Sequence, residues 1–293
     1  KLASGEKEWI LTSAWRNDVV NSDDYRAYVG GTSGLIYGYV NDGFYTVADF
    51  ESFDSKSRTW KLKEGVVDSS PLSDTPRPGN AKFKKLTPVD PNSTNPYQLT
   101  EADRTVIGNT TPKFSGGFGL NATYKGFDMS MFFNFMYDFD VLNANKIMLT
   151  TWADNKENNF LMDIASDKRW RNFDDMGNEI RYSPEVLAEF NKNATMWNPT
   201  SIGRPICMSY AVEDGSFLRL NSATLGYTLP SVWTKKVGLS KVRFYVSGNN
   251  LFTLTGYSGY DPEVNIATGL TPNIDYNRYP RSRTYTFGAQ LTF

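Results

Sequence analysis

The feature that most constrains this chain is a side-chain alternation of period two, sustained over stretches that are long for a soluble strand. From Phe114 to Tyr124 one face reads Phe114, Gly116, Phe118, Leu120, Ala122, Tyr124, and the other Ser115, Gly117, Gly119, Asn121, Thr123. That pattern marks a strand with one apolar and one polar face. Lys125-Gly126 offers a tight turn, and a second stretch over 127–140 puts Phe127, Met129, Met131, Phe133, Phe135, Tyr137 and Phe139 on one side. Its other side is mostly polar, with Phe132 and Met136 as exceptions. Three more stretches alternate in the same way, at 222–229, 241–249 and 284–293. Soluble strands usually run about five or six residues, whereas a tilted strand crossing a bilayer needs about 9–11.

The links between the stretches alternate too. Residues 125–126 are short, about 141–215 long, 230–240 short, and about 256–281 long again. Outer-membrane barrels sort their connections this way, with tight turns on one side and long extracellular loops on the other. A bilayer also demands that every backbone amide be paired, which only a closed barrel achieves with strands. Closure takes at least eight strands, more than the five seen here. The expected fold is therefore all-β, the C-terminal strands of a larger antiparallel transmembrane β-barrel cut upstream of Lys1. The last stretch, with Tyr285, Phe287, Ala289, Leu291 and Phe293 on one face, has the form that barrel-assembly machinery reads in a terminal strand.

Two regions follow. Residues 114–293 carry the barrel strands with long loops at 141–215 and 256–281, and residues 1–113 read as extracellular loop and irregular barrel segment with two or three strands. Turn signals at 30–34 and 41–43 flank the apolar stretch Leu35 to Val40, and 71–96 is rich in Pro. Within the first long loop Ser183-Pro184 announces a short helix, with Ser183 as N-cap.

Composition removes several function classes. Lys plus Arg number 31 against 32 Asp plus Glu, a net charge of -1. A non-specific nucleic-acid binder needs a basic surplus. The chain has no His and one Cys, Cys207, which excludes Ser-His-Asp and Cys-His catalysis, HExxH-type zinc sites and an intrachain disulfide. The carboxylate pairs Asp23-Asp24 and Asp174-Asp175 are adjacent in sequence, whereas a glycosidase holds its two carboxyls across a cleft. No enzyme activity, catalytic residue, metal or cofactor is expected.

Several segments resemble one family. Glu213-Asp214-Gly215-Ser216-Phe217-Leu218-Arg219-Leu220 leads into Thr224-Leu225-Gly226-Tyr227-Thr228-Leu229-Pro230. Val242-Arg243-Phe244-Tyr245-Val246-Ser247-Gly248-Asn249-Asn250-Leu251-Phe252 follows, then Gly259-Tyr260-Asp261-Pro262-Glu263 and Tyr279-Pro280-Arg281. Upstream stand Asp103-Arg104-Thr105-Val106-Ile107-Gly108-Asn109, Thr111-Pro112-Lys113-Phe114, and Tyr37-Gly38-Tyr39 with Asp42-Gly43-Phe44. In this order they resemble SusC/RagA-type TonB-linked outer-membrane transporters over most of the chain from about Gly30 onward. The resemblance implies a 22-stranded barrel with an N-terminal plug in the outer membrane of a Gram-negative bacterium. It implies import of oligosaccharides or peptides, a SusD-like lipoprotein as lid, and TonB acting through an N-terminal part not contained in this sequence. Many relatives carry a calcium-like loop before the D-R-T-V-I-G motif. Here Asp90, Asn92, Thr94 and Glu101 fall at ligand positions, but Asn95 stands where the turn needs Gly, and a polar surface loop is expected instead.

Aromatic faces in the long loops are the candidate substrate contacts, because they stack on the apolar faces of sugars. Those residues are Trp152, Trp170, Trp197, Tyr257 and Tyr260. Phe133, Phe135, Phe244 and Phe287 are expected to face lipid, and Tyr124, Tyr227 and Tyr285 an interfacial girdle. The alternative reading is a secreted all-β carbohydrate-binding module or surface adhesin, its strand aromatics buried between two sheets.

Overall fold

The computed structural model describes residues 7–13, 15, 23–151, 159–165, 167–203, 205–263 and 269–293. Eight short strands come first: β1 (Glu8–Leu11), β2 (Tyr25–Tyr28), β3 (Leu35–Gly38), β4 (Asn41–Phe44), β5 (Phe50–Asp54), β6 (Thr59–Leu62), β7 (Ala81–Phe83) and β8 (Thr105–Asn109). The two long strands β9 (Phe114–Tyr124) and β10 (Phe127–Tyr137) follow. The first long excursion contains β11 (Asp140–Asn143), helices α1 (Ala144–Met148) and α2 (Pro184–Phe190), and β12 (Val212–Asp214). Then come β13 (Phe217–Thr228), the one-turn helix α3 (Ser231–Thr234), β14 (Lys241–Thr255), β15 (Ile274–Asp275) and β16 (Thr284–Thr292).

The five long strands form one antiparallel meander in the order β16-β14-β13-β10-β9. Lys125 and Gly126 both take positive φ, 45° and 90°, the backbone of a two-residue primed turn that matches strand twist. Residues opposite one another in an antiparallel pair share a face, so the register assembles a single apolar surface. One row runs Tyr124, Phe127, Tyr227, Phe244 and another Phe118, Phe133, Leu220, Phe252. No charged side chain interrupts it. Phe114 and Tyr124 lie ten residues apart along β9, roughly 34 Å at ~3.4 Å per residue, or about 26 Å once tilted as barrel strands are. Nothing among the described residues covers this face: Phe244 is 51% exposed and Phe287 81%.

The opposite face is polar and carries the Arg243–Asp128 pair, whose Nε–Oδ1 contact is 2.9 Å. The two residues sit on β14 and β10, with β13 between them at Gly226. A Cβ there would stand 2.4 Å from the Arg243 guanidinium, so glycine is what lets the ion pair cross the intervening strand.

Register breaks between Leu220 and Ser222 insert Asn221 and, on β14, Asn250 and Leu251. Such bulges shift the alternation by one residue, which keeps Leu218 and Leu220 on the same side as Ala223, Leu225 and Tyr227. They also explain why β13 and β14 reach well beyond the stretches 222–229 and 241–249 read from alternation.

Apart from α3, which sits in the short link at the opposite end, the remaining elements pack at the loop end as a cap. Its strands form small sheets, β1-β2-β3-β8, β12-β11-β15, β4-β7 and β5-β6. One core joins Tyr25 and Ile36 to Leu142, Ile147 and Ile274; another joins Phe83 and Leu99 to Trp197 and Met208. The first 113 residues and both long excursions therefore share cores. Eight short strands stand where two or three were expected, because several of them, such as β3 against β8 and β4 against β7, are fixed by contacts distant in sequence rather than by their own periodicity. Phe139 also departs from the lipid-side reading. Asp138 takes a left-handed φ of 57° and turns the chain inward, so Phe139 is buried with Val141, Phe217 and Tyr257. Helix α2 begins at Pro184 as read, but the Ser183 side chain makes no capping bond.

An ion cluster fastens the second excursion to the sheet. Arg219 of β13 is buried and pairs with Asp261 and with Glu263, the latter at 3.0 Å, and Arg281 reaches Glu263 at 3.4 Å. Among the described residues no helix is long and apolar enough to cross a membrane, which says nothing of strands.

Candidate functional site

The cap holds a two-lobed cleft. Its first wall is the segment 169–182. Trp170 donates its amide to Met196 at 2.8 Å, and Asn191 clamps Arg171 in both directions, accepting from its amide at 2.7 Å and donating to its carbonyl at 2.9 Å. Asn191 also donates to Leu187 of α2 at 3.0 Å, so the helix end fixes the position of the wall. Asp174 accepts from the amides of Met176 and Asn178 and from the Asn178 side chain. Those hydrogen bonds, the side-chain one first, hold its carboxyl below the ordinary value. The second wall is the β5–β6 hairpin and the loop at 75–78. Trp60 packs on Phe50 and Phe53, and Phe53 stacks on Tyr182 with ring centroids 6.2 Å apart.

The larger lobe encloses about 400 Å³ against Phe160, Arg169, Trp170, Phe173 and Asn198; the smaller encloses about 180 Å³ against Arg58, Trp60, Arg77 and Tyr182. Asn172 and Arg181 line both. Guanidinium groups lie over aromatic faces throughout: Arg58 over Tyr182 at 4.8 Å, Arg181 over Phe173 at 5.3 Å, and Arg171 over Phe190 at 4.5 Å. A concave site of this size with planar cations and aromatic walls suits a small polar oligomer.

The five loop aromatics read from the sequence are placed very differently. Trp152 lies outside the described residues. Trp170 is 2% exposed, packs with Ile180 and Leu187, and lines the larger lobe. Trp197 is buried in the cap core, donating to the Thr150 carbonyl at 3.3 Å and lying edge-on to Tyr210. Tyr257 is buried and donates to Asp275 at 2.8 Å; burial first, then the Asp275 charge, pushes its hydroxyl up. Tyr260 is 85% exposed.

Other candidates fold into local structure. Asp90 accepts from the Asn92 amide, and Asn95 donates to Asp68 at 2.6 Å. Asp24 is buried, accepting from Ser13 and from the Trp15 indole, and Asp175 pairs with Arg171. Among the described residues no three metal-ligating carboxylates or thiols converge.

Known proteins place the chain. TonB-dependent receptor P3 of Formosa agariphila is 33% identical over 270 residues, which is 90% of this chain and 22% of that protein. TonB-dependent receptor SusC of Bacteroides thetaiotaomicron is 38% identical over 88 residues, 29% of this chain and 8% of SusC. The solved structure of the RagAB peptide transporter matches all of this chain with 25% of its own, at a TM-score of 0.61 and 21% identity, which shows a shared fold. The chain belongs to the SusC/RagA-type TonB-dependent receptors. It spans about a fifth of the length of the first of these relatives. No protein-family model matches it.

For a SusC/RagA-type chain the alternative of a soluble sandwich is not favoured, and among the described residues no second sheet covers the apolar face. The cleft of this receptor chain was not singled out from the sequence, apart from Trp170. Its signal was arginine interleaved with aromatics: Arg169-Trp170-Arg171, Arg181-Tyr182 and Arg58-Thr59-Trp60. Each fragment is short, and only the fold brings them together.

Proposed function

We propose that this chain forms the C-terminal wall and part of the extracellular cap of a TonB-dependent outer-membrane importer of oligosaccharides or peptides. The uncovered apolar face of the five-stranded meander carries the reading. In water that face would drive aggregation; against lipid it is the stable outer surface of a barrel. Strands β9 and β16 each have one edge with no partner among the described residues, and further strands of a longer polypeptide would close the barrel, 22 by the family pattern. Residues 114–293 then supply membrane strands, and residues 1–113 with the loops at 141–215 and 256–281 stand outside the cell. TonB acts through the N-terminal part, and a SusD-like lipoprotein closes over the cap. Transport, not catalysis, is the activity. Of the loop aromatics, Tyr260 and Trp170 are proposed as substrate contacts, while Trp197 and Tyr257 hold the loops that present them.

The test is genetic. Deleting the receptor is expected to abolish growth on one glycan or peptide source from a panel, with restoration by the receptor gene only in cells with functional TonB. Undiminished growth on every source would refute import.

A further inference from the structure

The cleft has a charge that the chain as a whole does not. Arginines 58, 77, 169, 171 and 181 line its two lobes, and among the described residues Asp174 is the one carboxylate of the lining. Across the full sequence basic and acidic residues balance, 31 against 32. The imbalance is local, and it is made of guanidinium groups without a lysine. Guanidinium is the planar fork that grips carboxylate through two parallel hydrogen bonds.

These cations are poorly neutralised from within. Arg58, Arg77 and Arg169 make no ion pair among the described residues; the Arg169 guanidinium donates to the Ile164 carbonyl, at 2.9 Å. Arg171 and Arg181 do have partners, Asp175 and Glu179, but those carboxylates are 81% and 39% exposed. Exposed pairs contribute little to stability, so an incoming carboxylate replaces them at small cost. The Trp170 indole N–H, buried in the wall, also has no acceptor among the described residues. Donors are in surplus, and Arg58, Arg171 and Arg181 are each backed by an aromatic ring that orders the guanidinium.

We infer that the cleft is a subsite for a carboxylate-bearing oligomer, which Arg169 and Arg181 grip in the larger lobe and Arg58 and Arg77 in the smaller. The inference rests on the importer reading and narrows its substrate class to an acidic one. Carboxylates come from uronate sugars or from Asp and Glu side chains, and the two sources share this chemistry. A concave cleft of this volume fits a few residues of such an oligomer better than the flat face of a protein partner.

The full receptor, purified in detergent, is titrated by calorimetry with tetragalacturonate and tetraglutamate, and with maltotetraose and tetraglutamine as their uncharged counterparts. At least one acidic probe is expected to bind about tenfold or more tightly than its counterpart, with affinity falling as salt rises. The probe that succeeds identifies sugar or peptide as the source. Arg169→Gln with Arg181→Gln is expected to remove that preference, and Arg169→Lys to restore part of it. Equal binding of charged and uncharged probes overturns the proposal without any variant being needed. So does loss of a co-purifying lipoprotein in the Gln variants with no acidic probe bound, which would make the cleft a partner interface. Uptake of radiolabelled probes by energised cells separates the two levels. Accumulation of uncharged oligomers without discrimination leaves import standing and removes the subsite, whereas binding without accumulation does the reverse.

Discussion

The five-stranded sheet and the cap are built from similar residues used in opposite ways. In the sheet, Phe114, Phe118, Phe127, Phe244 and Phe287 lie on one face and remain exposed, while Arg243 and Asp128 meet on the other face. In the cap, by contrast, Trp197, Tyr25, Tyr45 and Phe83 point inward and are its largest fully buried side chains. The rule relating hydrophobicity to burial holds in both regions once the solvent is allowed to differ. On the importer reading proposed above, the sheet has its solvent-like hydrocarbon outside and the cap has its hydrocarbon within. A chain of this kind cannot be judged by one hydrophobic pattern throughout.

The comparison breaks most visibly in the cap core. Trp197→Ala removes a fully buried indole, a change that costs about 3–5 kcal/mol in a packed core. The expected outcome is rapid proteolysis within 138–216 on intact cells, while the strands still assemble and migrate as a heat-modifiable band. Loss of the band together with the cap would mean that the two regions fold as one unit and that the contrast drawn between them is false.

Phe133→Arg attacks the sheet instead. Phe133 stacks on Phe118 at 4.9 Å in the middle of the apolar face, and a charge at the bilayer midplane costs about 2–4 kcal/mol. Assembly into the outer membrane is expected to fail or fall sharply. Ser130 lies on the polar face of the same strand, opposite Asn121 and Thr224, and Ser130→Arg is expected to assemble normally. Equal tolerance of both substitutions, read by heat-modifiability on a gel, would remove the assignment of faces.

The sheet was largely legible in sequence because its information is local. Alternation needs only neighbours two apart, and it failed only where a bulge at Asn221 or at Asn250 and Leu251 shifted the phase, and where Asp138 turned Phe139 inward. The cap was not legible in this way. Tyr25 hydrogen-bonds the Pro272 carbonyl, 247 residues away, and no local pattern announces such a contact. Motifs recovered part of what periodicity missed. Asp103-Arg104 heads one of the family segments, and in the structure Arg104 donates to the carbonyls of Asp23 and Tyr37. Arg219, Asp261, Glu263 and Arg281, from three further segments, meet in the cluster that fastens cap to sheet. The cleft arginines belong to none of these segments, and so they appeared only when the chain was folded.

Asp103 offers the finest test of the cap's polar framework. Its side chain is fully buried, and it accepts from the amides of Leu86, Thr87 and Thr100, from the hydroxyls of Thr87 and Thr100, and from Lys85. Burial alone would raise the carboxyl, but these hydrogen bonds, those from Thr87 foremost, outweigh it and hold the group well below the ordinary carboxylate range. A carboxyl depressed in the folded state stabilises fully above its unfolded value of about 3.9, and that contribution is lost as pH falls through the folded value. Hydrogen-exchange protection at Leu86, Thr87 and Thr100 is therefore expected to hold steady from pH 7 to 5 and to decline only below pH 4. Asp103→Asn keeps the shape but exchanges an acceptor for a donor among donors, at about 1–3 kcal/mol, so protection there is expected to be low already at pH 7 and to change little on acidification. Asp140 and Asp275, both pushed up by burial, take up protons more readily when folded and so add stability on acidification; a wild-type decline beginning above pH 5 would therefore take the control of the cap's acid stability away from Asp103.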